Sequence, residues 1–189
     1  IRRVVRETGA CLAWGGAMNL SPADDLLIRI ERALDLDGEG QLVASVLSKK
    51  IAAGSTHAVI DIPVGETAKV RTPGDADRLA SLFTSVGAAC GLKVRCIATD
   101  GSKPVGAGIG PTEEARDVLA VLQGKRGAPE DLRSRAIMLA GHLFDLADGL
   151  GGKEGMSKAE RLLQNGSAWD QLKRITKDQG ELTSSGQAR

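Results

Sequence analysis

The stretch HAVIDIP at residues 57–63 decides the fold class. It is an almost unbroken apolar run of strand length, which suits a strand covered on both faces, as in a parallel sheet. Residues 74–90 follow with a helical period that sets Leu79, Leu82, Phe83 and Val86 on one stripe, and Gly91 closes the helix. KVRCIA at 93–98 is the next strand. Strand, helix, strand is a βαβ unit, and its crossover implies a parallel pair. The fold class is therefore α/β: a mixed or parallel sheet with flanking helices and an additional α-helical segment.

On the amino-terminal side, QLVASVLSKKIAA at 41–53 reads as a helix stopped by Gly54. LLIRIERAL at 26–34 fits a strand or a helix equally. Residues 11–16 read as a short strand after a helix end closed by Gly9. On the carboxyl side the pattern is helical. Pro111 with Glu113 and Glu114 opens a helix to 123, a longer one spans 130–147, and two shorter ones cover 157–165 and 168–177. The tail ELTSSGQAR at 181–189 is polar and is expected to be disordered. The chain begins at Ile1 in mid-pattern, so a segment upstream is expected.

Lys and Arg number 25 against 24 Asp and Glu, a balance that argues against nucleic-acid and membrane-surface partners. No apolar run has the length of a membrane span. Aromatic residues make up 2% and Tyr is absent, which argues against a base-stacking platform. Cys11, Cys90 and Cys96 are odd in number and lack metal-type spacing, so they read as reduced core thiols of a cytoplasmic protein.

In an open α/β sheet, ligands bind beyond the carboxyl ends of the strands. Two loops lie there, PVGETAKV at 63–70 and TDGSKPVGAGIGP at 99–111, with one lysine each, Lys69 and Lys103. Glycine-rich backbone beside a lysine suits an anion; the competing reading is turn glycines and water-facing lysines. GAGIGP matches neither dinucleotide nor P-loop spacing and reads best as a structural turn. Ser45 and Lys49 are four apart and share a helix face, where they suit a polar planar ligand, an anion or plain solvation. Asp37, in a Gly-flanked turn, suits a general acid or a cap. His57 and His142 have no metal-spaced partner and are expected to be satisfied structural histidines; no metal site is expected.

The runs GACLAWGGAMNLSPADDLLIRIERALDLDGEGQLVASVLSKKIAAGSTHAVIDIPVGETAKV and CIATDGSKPVGAGIGPTEEARDVLAVLQG resemble the central part of the thymidine phosphorylase / AMP phosphorylase family, with SPADD, ASVLSKK, IDIPVG and TDGSKPVG in family order. The resemblance covers residues 8–125, is nearest the long branch of the family, and extends through the helical region. It implies the nucleoside phosphorylase (pyrimidine phosphorylase-type) fold. Residues 1–20 would end a preceding α/β segment, 21–54 would contribute to an α-helical domain, and 55–180 would form an α/β domain with a helical carboxyl part. It also implies attack of inorganic phosphate on C1′ of a nucleoside, thymidine giving thymine and 2-deoxyribose 1-phosphate. The family alternative is cleavage of a nucleoside 5′-monophosphate, such as AMP, to base and ribose 1,5-bisphosphate. No metal or organic cofactor is implied, and the intact protein would be a homodimer or higher homo-oligomer.

By this resemblance Asp37 matches the proton donor of the AMP branch, and Ser45 and Lys69 its substrate-contacting residues. In the thymidine branch the base is held by an Arg, a Ser and a Lys, which match Arg29, Ser45 and Lys49. The family's phosphate-binding segment would precede residue 1. A non-catalytic α/β scaffold for oligomerisation is the reading from a different class. The resemblance makes this chain a fragment holding one wall of a cleft, so the 189 residues alone are expected to show little or no phosphorolysis. Assay of base release checks this, and robust turnover by the isolated chain contradicts it.

Overall fold

The computed structural model describes residues 2–13, 38–151 and 153–180, together with positions 22, 26, 27 and 30. In chain order they form α1 (Arg2–Thr8), α2 (Glu39–Ala52), β1 (His57–Val64), α3 (Pro73–Ala89), β2 (Lys93–Asp100), α4 (Pro111–Leu122), α5 (Glu130–Asp148), α6 (Lys153–Gln164) and α7 (Ser167–Gln179). Positions 26, 27 and 30 are helical, which favours the helix reading of that segment. Residues 11–13 have no regular structure, and the rest of the expected 11–16 strand lies outside the described residues, as does the 181–189 tail.

β1 and β2 pair in parallel, from His57 opposite Lys93 to Val64 opposite Asp100, as the βαβ pattern requires. Alternation then sorts their side chains. Ala58, Ile60 and Ile62 face one side and join Val43 and Leu47 of α2 with Ala76, Leu79 and Phe83 of α3 in the core. Phe83, Leu47 and Leu92 are the largest fully buried side chains, each contributing about 1.5–3 kcal/mol. The opposite face is only half-buried: His57, Val59 and Asp61 are partly exposed, and α5 lies across it. β1 is thus enclosed on one face and partly covered on the other, a correction to the reading of two buried faces.

Thr72 caps α3 by accepting from the Asp75 amide at 3.2 Å. The stripe of α3 differs from the expected one. Ala76, Leu79, Phe83 and Gly87 are buried, while Leu82 and Val86 are exposed. Gly87 explains the rotation, because a Cβ there would come within 2.5 Å of Val94 Cγ2 on β2. The helix therefore presses its glycine edge, not Val86, against the sheet.

The carboxyl-terminal helices pack through small residues and a buried carboxylate. A Cβ on Gly141 of α5 would sit 2.6 Å from Met156 Cγ and 2.7 Å from its amide nitrogen. Asp145, 6% exposed, accepts from the Gly155 amide in the first turn of α6 at 3.1 Å and has Arg95 of β2 at 3.7 Å. A carboxylate at a helix amino terminus is favoured by the helix dipole. α7 then returns to α1: Gln179 accepts from the Leu12 amide at 2.6 Å and donates to the Leu12 carbonyl at 2.7 Å.

The glycine-rich loop between β2 and α4 is closed by the chain's own carboxylates. Asp117 Oδ2 accepts from the amides of Ala107 and Gly108, both at 2.8 Å. Asp131 accepts from Gly106 at 3.2 Å and Glu114 from Gly110 at 3.1 Å. These amides already hold internal anions, so this loop is a structural turn, as GAGIGP reads in the sequence, and the competing reading of an external anion on this backbone is not supported.

Three variants check this structure. Gly141→Ala is expected to destabilise the protein by about 1–3 kcal/mol in urea titration despite alanine's higher helix propensity, because backbone atoms of α6 block the new methyl. Gly40→Ala, on an open helical position, is expected to stabilise by about 0.5–1 kcal/mol. The Asp131 carboxyl is held below its ordinary pKa first by the Gly106 amide and then by the Leu132 amide. Its folded pKa is depressed, so its stabilisation is complete above the ordinary aspartate value and is lost as pH falls through the lowered one. Melting temperature against pH is expected to fall less steeply in acid for Asp131→Asn than for the parent; superimposable acid profiles would contradict the role.

Candidate functional site

The loop after β1 folds back on the strand that launches it. Gly65 donates its amide to Val70 at 3.1 Å, Ala68 donates to Gly65 at 3.0 Å, and Val64 and Val70 form an isolated parallel bridge. Gly101 donates to the Val64 carbonyl at 2.8 Å, which ties the loop after β2 to the same point. The two loops meet glycine to glycine: a Cβ on Gly65 would lie 2.6 Å from the carbonyl carbon of Gly101. Only glycine permits that approach.

This folding fixes Lys69 and Arg71 on either side of the buried Val70. Both line a cavity of about 410 Å³ with Gly38, Glu39 and Leu42 at the start of α2 and Asp75 and Leu79 of α3. On its acidic wall, Arg78 Nη2 bridges Glu39 at 3.0 Å and Asp75 at 2.6 Å. The Thr72 hydroxyl, and after it Arg78, hold the Asp75 carboxyl below its ordinary pKa. One guanidinium thus bridges two carboxylates and offsets one of their two charges, and Lys69 and Arg71 place two more cations on the cavity wall.

Of the residues singled out in the sequence, Lys69 lines this cavity. Ser45 and Lys49 meet each other, with Lys49 Nζ donating to Ser45 Oγ at 3.4 Å. Ser45 lies three residues beyond Leu42, so it continues the same face of α2. Asp37 and Arg29 lie outside the described residues. Lys103 lines a second cavity of about 360 Å³ with Pro63, Thr67 and Arg135.

Arg135 of α5 is a residue that the sequence reading missed. It donates to Asp61 at 2.9 Å, to the Thr99 hydroxyl at 2.9 Å and to the Asp100 carbonyl at 3.0 Å, while Thr99 donates to Asp61 at 2.6 Å. One signal was present: Asp61 interrupts an apolar strand, and a half-buried carboxylate needs a cation or donors. With its donors directed at these partners, Arg135 pins α5 to both strands. Arg71, Glu39 and Arg78 were also missed.

His57 has the Thr56 hydroxyl 2.9 Å from its Nδ1. His142 departs from expectation, because its Nδ1 is buried and has no hydrogen-bond partner among the described residues. It sits within α5, where the neighbouring carbonyls are committed to the helix ladder. The three cysteines are free, but Cys90 is exposed at the end of α3 and so is not a core thiol. Cys96 is half-buried, and burial raises its thiol pKa. Among the described residues no three His, Cys, Asp or Glu side chains converge as a metal site would require, and no helix is long and apolar enough to cross a membrane.

No family model matches the chain. Among curated proteins, it is 55% identical over 188 residues to "Putative thymidine phosphorylase 1" of Cupriavidus necator, covering 100% of this chain and 36% of that protein. It is 57% identical over 182 residues to "Putative thymidine phosphorylase" of Chelativorans sp., covering 96% of this chain and again 36% of the relative. "Putative thymidine phosphorylase 2" of Acidovorax sp. is 56% identical over 184 residues. The α/β chain described above is therefore related, along its whole length, to one segment of the proteins that carry this name, and spans 36% of the length of each of these three.

Proposed function

We propose that this chain forms part of a cytoplasmic phosphorylase that cleaves thymidine with inorganic phosphate to thymine and 2-deoxyribose 1-phosphate. The observation that carries this reading is the identity of 55% over 188 residues to a protein named putative thymidine phosphorylase. Supporting it, Lys69 and Arg71 line a cavity at the carboxyl end of a parallel strand, where α/β proteins place their ligands.

In the proposed reaction a phosphate oxygen forms a bond to C1′ as the bond from C1′ to the base nitrogen breaks. The bonding pair leaves with the base, and a proton neutralises it. Asp37 is the proposed proton donor; Ser45, Lys49 and Arg29 are proposed to hold the base, and Lys69 the substrate. Charge develops on both the sugar carbon and the leaving base, so positioned donors and cations lower the barrier. Phosphate is the co-substrate, no metal or organic cofactor takes part, and the working form is a homo-oligomer. Cleavage of a nucleoside 5′-monophosphate by the same steps is the alternative, favoured by the exposed Arg71 guanidinium on the cavity wall.

The test is a chimaera in which this chain replaces the matching segment of the Cupriavidus necator relative. It is expected to release thymine from thymidine only when phosphate is present. Asp37→Asn in the chimaera is expected to lower turnover by about 100-fold or more, the scale of general acid catalysis, with little change in melting temperature. Base release from AMP and not thymidine would select the nucleotide alternative. A chimaera inert toward both, beside an active parent, would sink the reading.

A further inference from the structure

The cavity beside Lys69 holds a cation that the proposed roles leave unused. Arg71 is exposed and lines the cavity. No described residue forms a hydrogen bond or ion pair with it, whereas Arg78 in the same region is committed to Glu39 and Asp75. Its position is not a flexible accident of the surface. The Val64–Val70 bridge and the Gly65-to-Val70 hydrogen bond fix the backbone immediately before it, and the capped start of α3 at Thr72 fixes the backbone immediately after it.

We propose that Arg71 is a substrate-binding residue that takes a phosphate group in this cavity, with Lys69 as its neighbour. A guanidinium presents paired donors in a planar fork, which matches two phosphate oxygens. A lysine supplies charge without that fork. The Arg78 bridge occupies the carboxylates of Glu39 and Asp75, so they oppose an incoming anion less than bare carboxylates would. The phosphate has two sources: the 5′-phosphate of a nucleotide substrate, or the free inorganic phosphate that attacks C1′. The proposal rests on reading the cavity as part of a phosphorylase site, and it is tested by binding, without turnover, so that the two can fail separately.

The experiment is titration of the 189-residue chain with inorganic phosphate, thymidine and thymidine 5′-monophosphate, followed by heteronuclear NMR. In the parent, phosphate and the monophosphate are expected to shift the Lys69 and Arg71 amide signals. Arg71→Gln is expected to weaken phosphate-group binding by about tenfold, the value of one charge-assisted hydrogen-bonding pair, and to leave the dispersed spectrum of the fold intact. Arg71→Lys is expected to keep part of the affinity. Thymidine binding is expected to be unchanged in both variants. A monophosphate that binds more tightly than inorganic phosphate, with the difference lost in Arg71→Gln, identifies the substrate-borne group; equal affinities identify the co-substrate. Parent-like phosphate binding by Arg71→Gln, or no shift near Arg71 in the parent at millimolar phosphate, overturns the proposal. An inert chimaera beside intact Arg71-dependent phosphate binding would instead count against the phosphorylase reading.

Discussion

The single register that pairs β1 with β2 is the constraint on which the other placements depend. With His57 opposite Lys93, even-numbered residues of both strands face α2 and α3, and odd-numbered residues of β1 face α5 with their β2 partners. A slip by one residue would send Ile60 and Ile62 to the half-open face and Asp61 into the core, which the cost of an unpaired buried carboxylate forbids. The same register brings Val64 level with Asp100, so both loops leave the sheet at one height. Their glycines can then touch, and the cavity walls are set from there.

Electrostatics at the strand ends divides into two kinds. Around the loop after β2 and the face covered by α5 the charges are internally matched: Arg135 with Asp61, and the loop amides with Asp117, Asp131 and Glu114. That arrangement holds the molecule together and leaves little for a ligand. Beyond β1 the matching is incomplete: Arg78 is committed to Glu39 and Asp75, whereas Arg71 has no counter-ion among the described residues. A surplus of one sign in a concavity concentrates ligands of the other. The physical difference between a structural loop and a binding loop lies here in whether the chain supplies its own counter-ion.

Much of the fold was legible because the β1–α3–β2 unit carries both periods cleanly: the sequence places its elements at 57–63, 74–90 and 93–98, and they form at His57–Val64, Pro73–Ala89 and Lys93–Asp100. α5 was equally clear. α6 begins at Lys153 and not at 157, since Gly155 looks like a helix breaker until its contact with Gly141 and Asp145 is known. The buried stripe of α3 was misread for the same reason: Gly87 has no hydrophobicity to reveal that it is an interface. For the site, the spacing of Ser45 and Lys49 and the position of Lys69 were readable. Arg71 was not, because its neighbourhood depends on a backbone bridge between Val64 and Val70 that leaves no periodic trace. Arg29 rests on the resemblance alone and Asp37 on its Gly-flanked turn and the resemblance; both lie outside the described residues.

The clasp between Gln179 and Leu12 joins residues 167 apart in the chain. Closing a loop costs entropy that rises with the logarithm of its length, so this contact is disfavoured until the intervening helices are in place. The βαβ unit closes over a far shorter span. The side-chain amide of Gln179 mimics a strand edge for one residue and gains only two hydrogen bonds. With Arg174 donating to the Glu7 carbonyl at 3.2 Å, it ties the two ends of the described chain together, a closure whose entropy cost only an already folded frame keeps small.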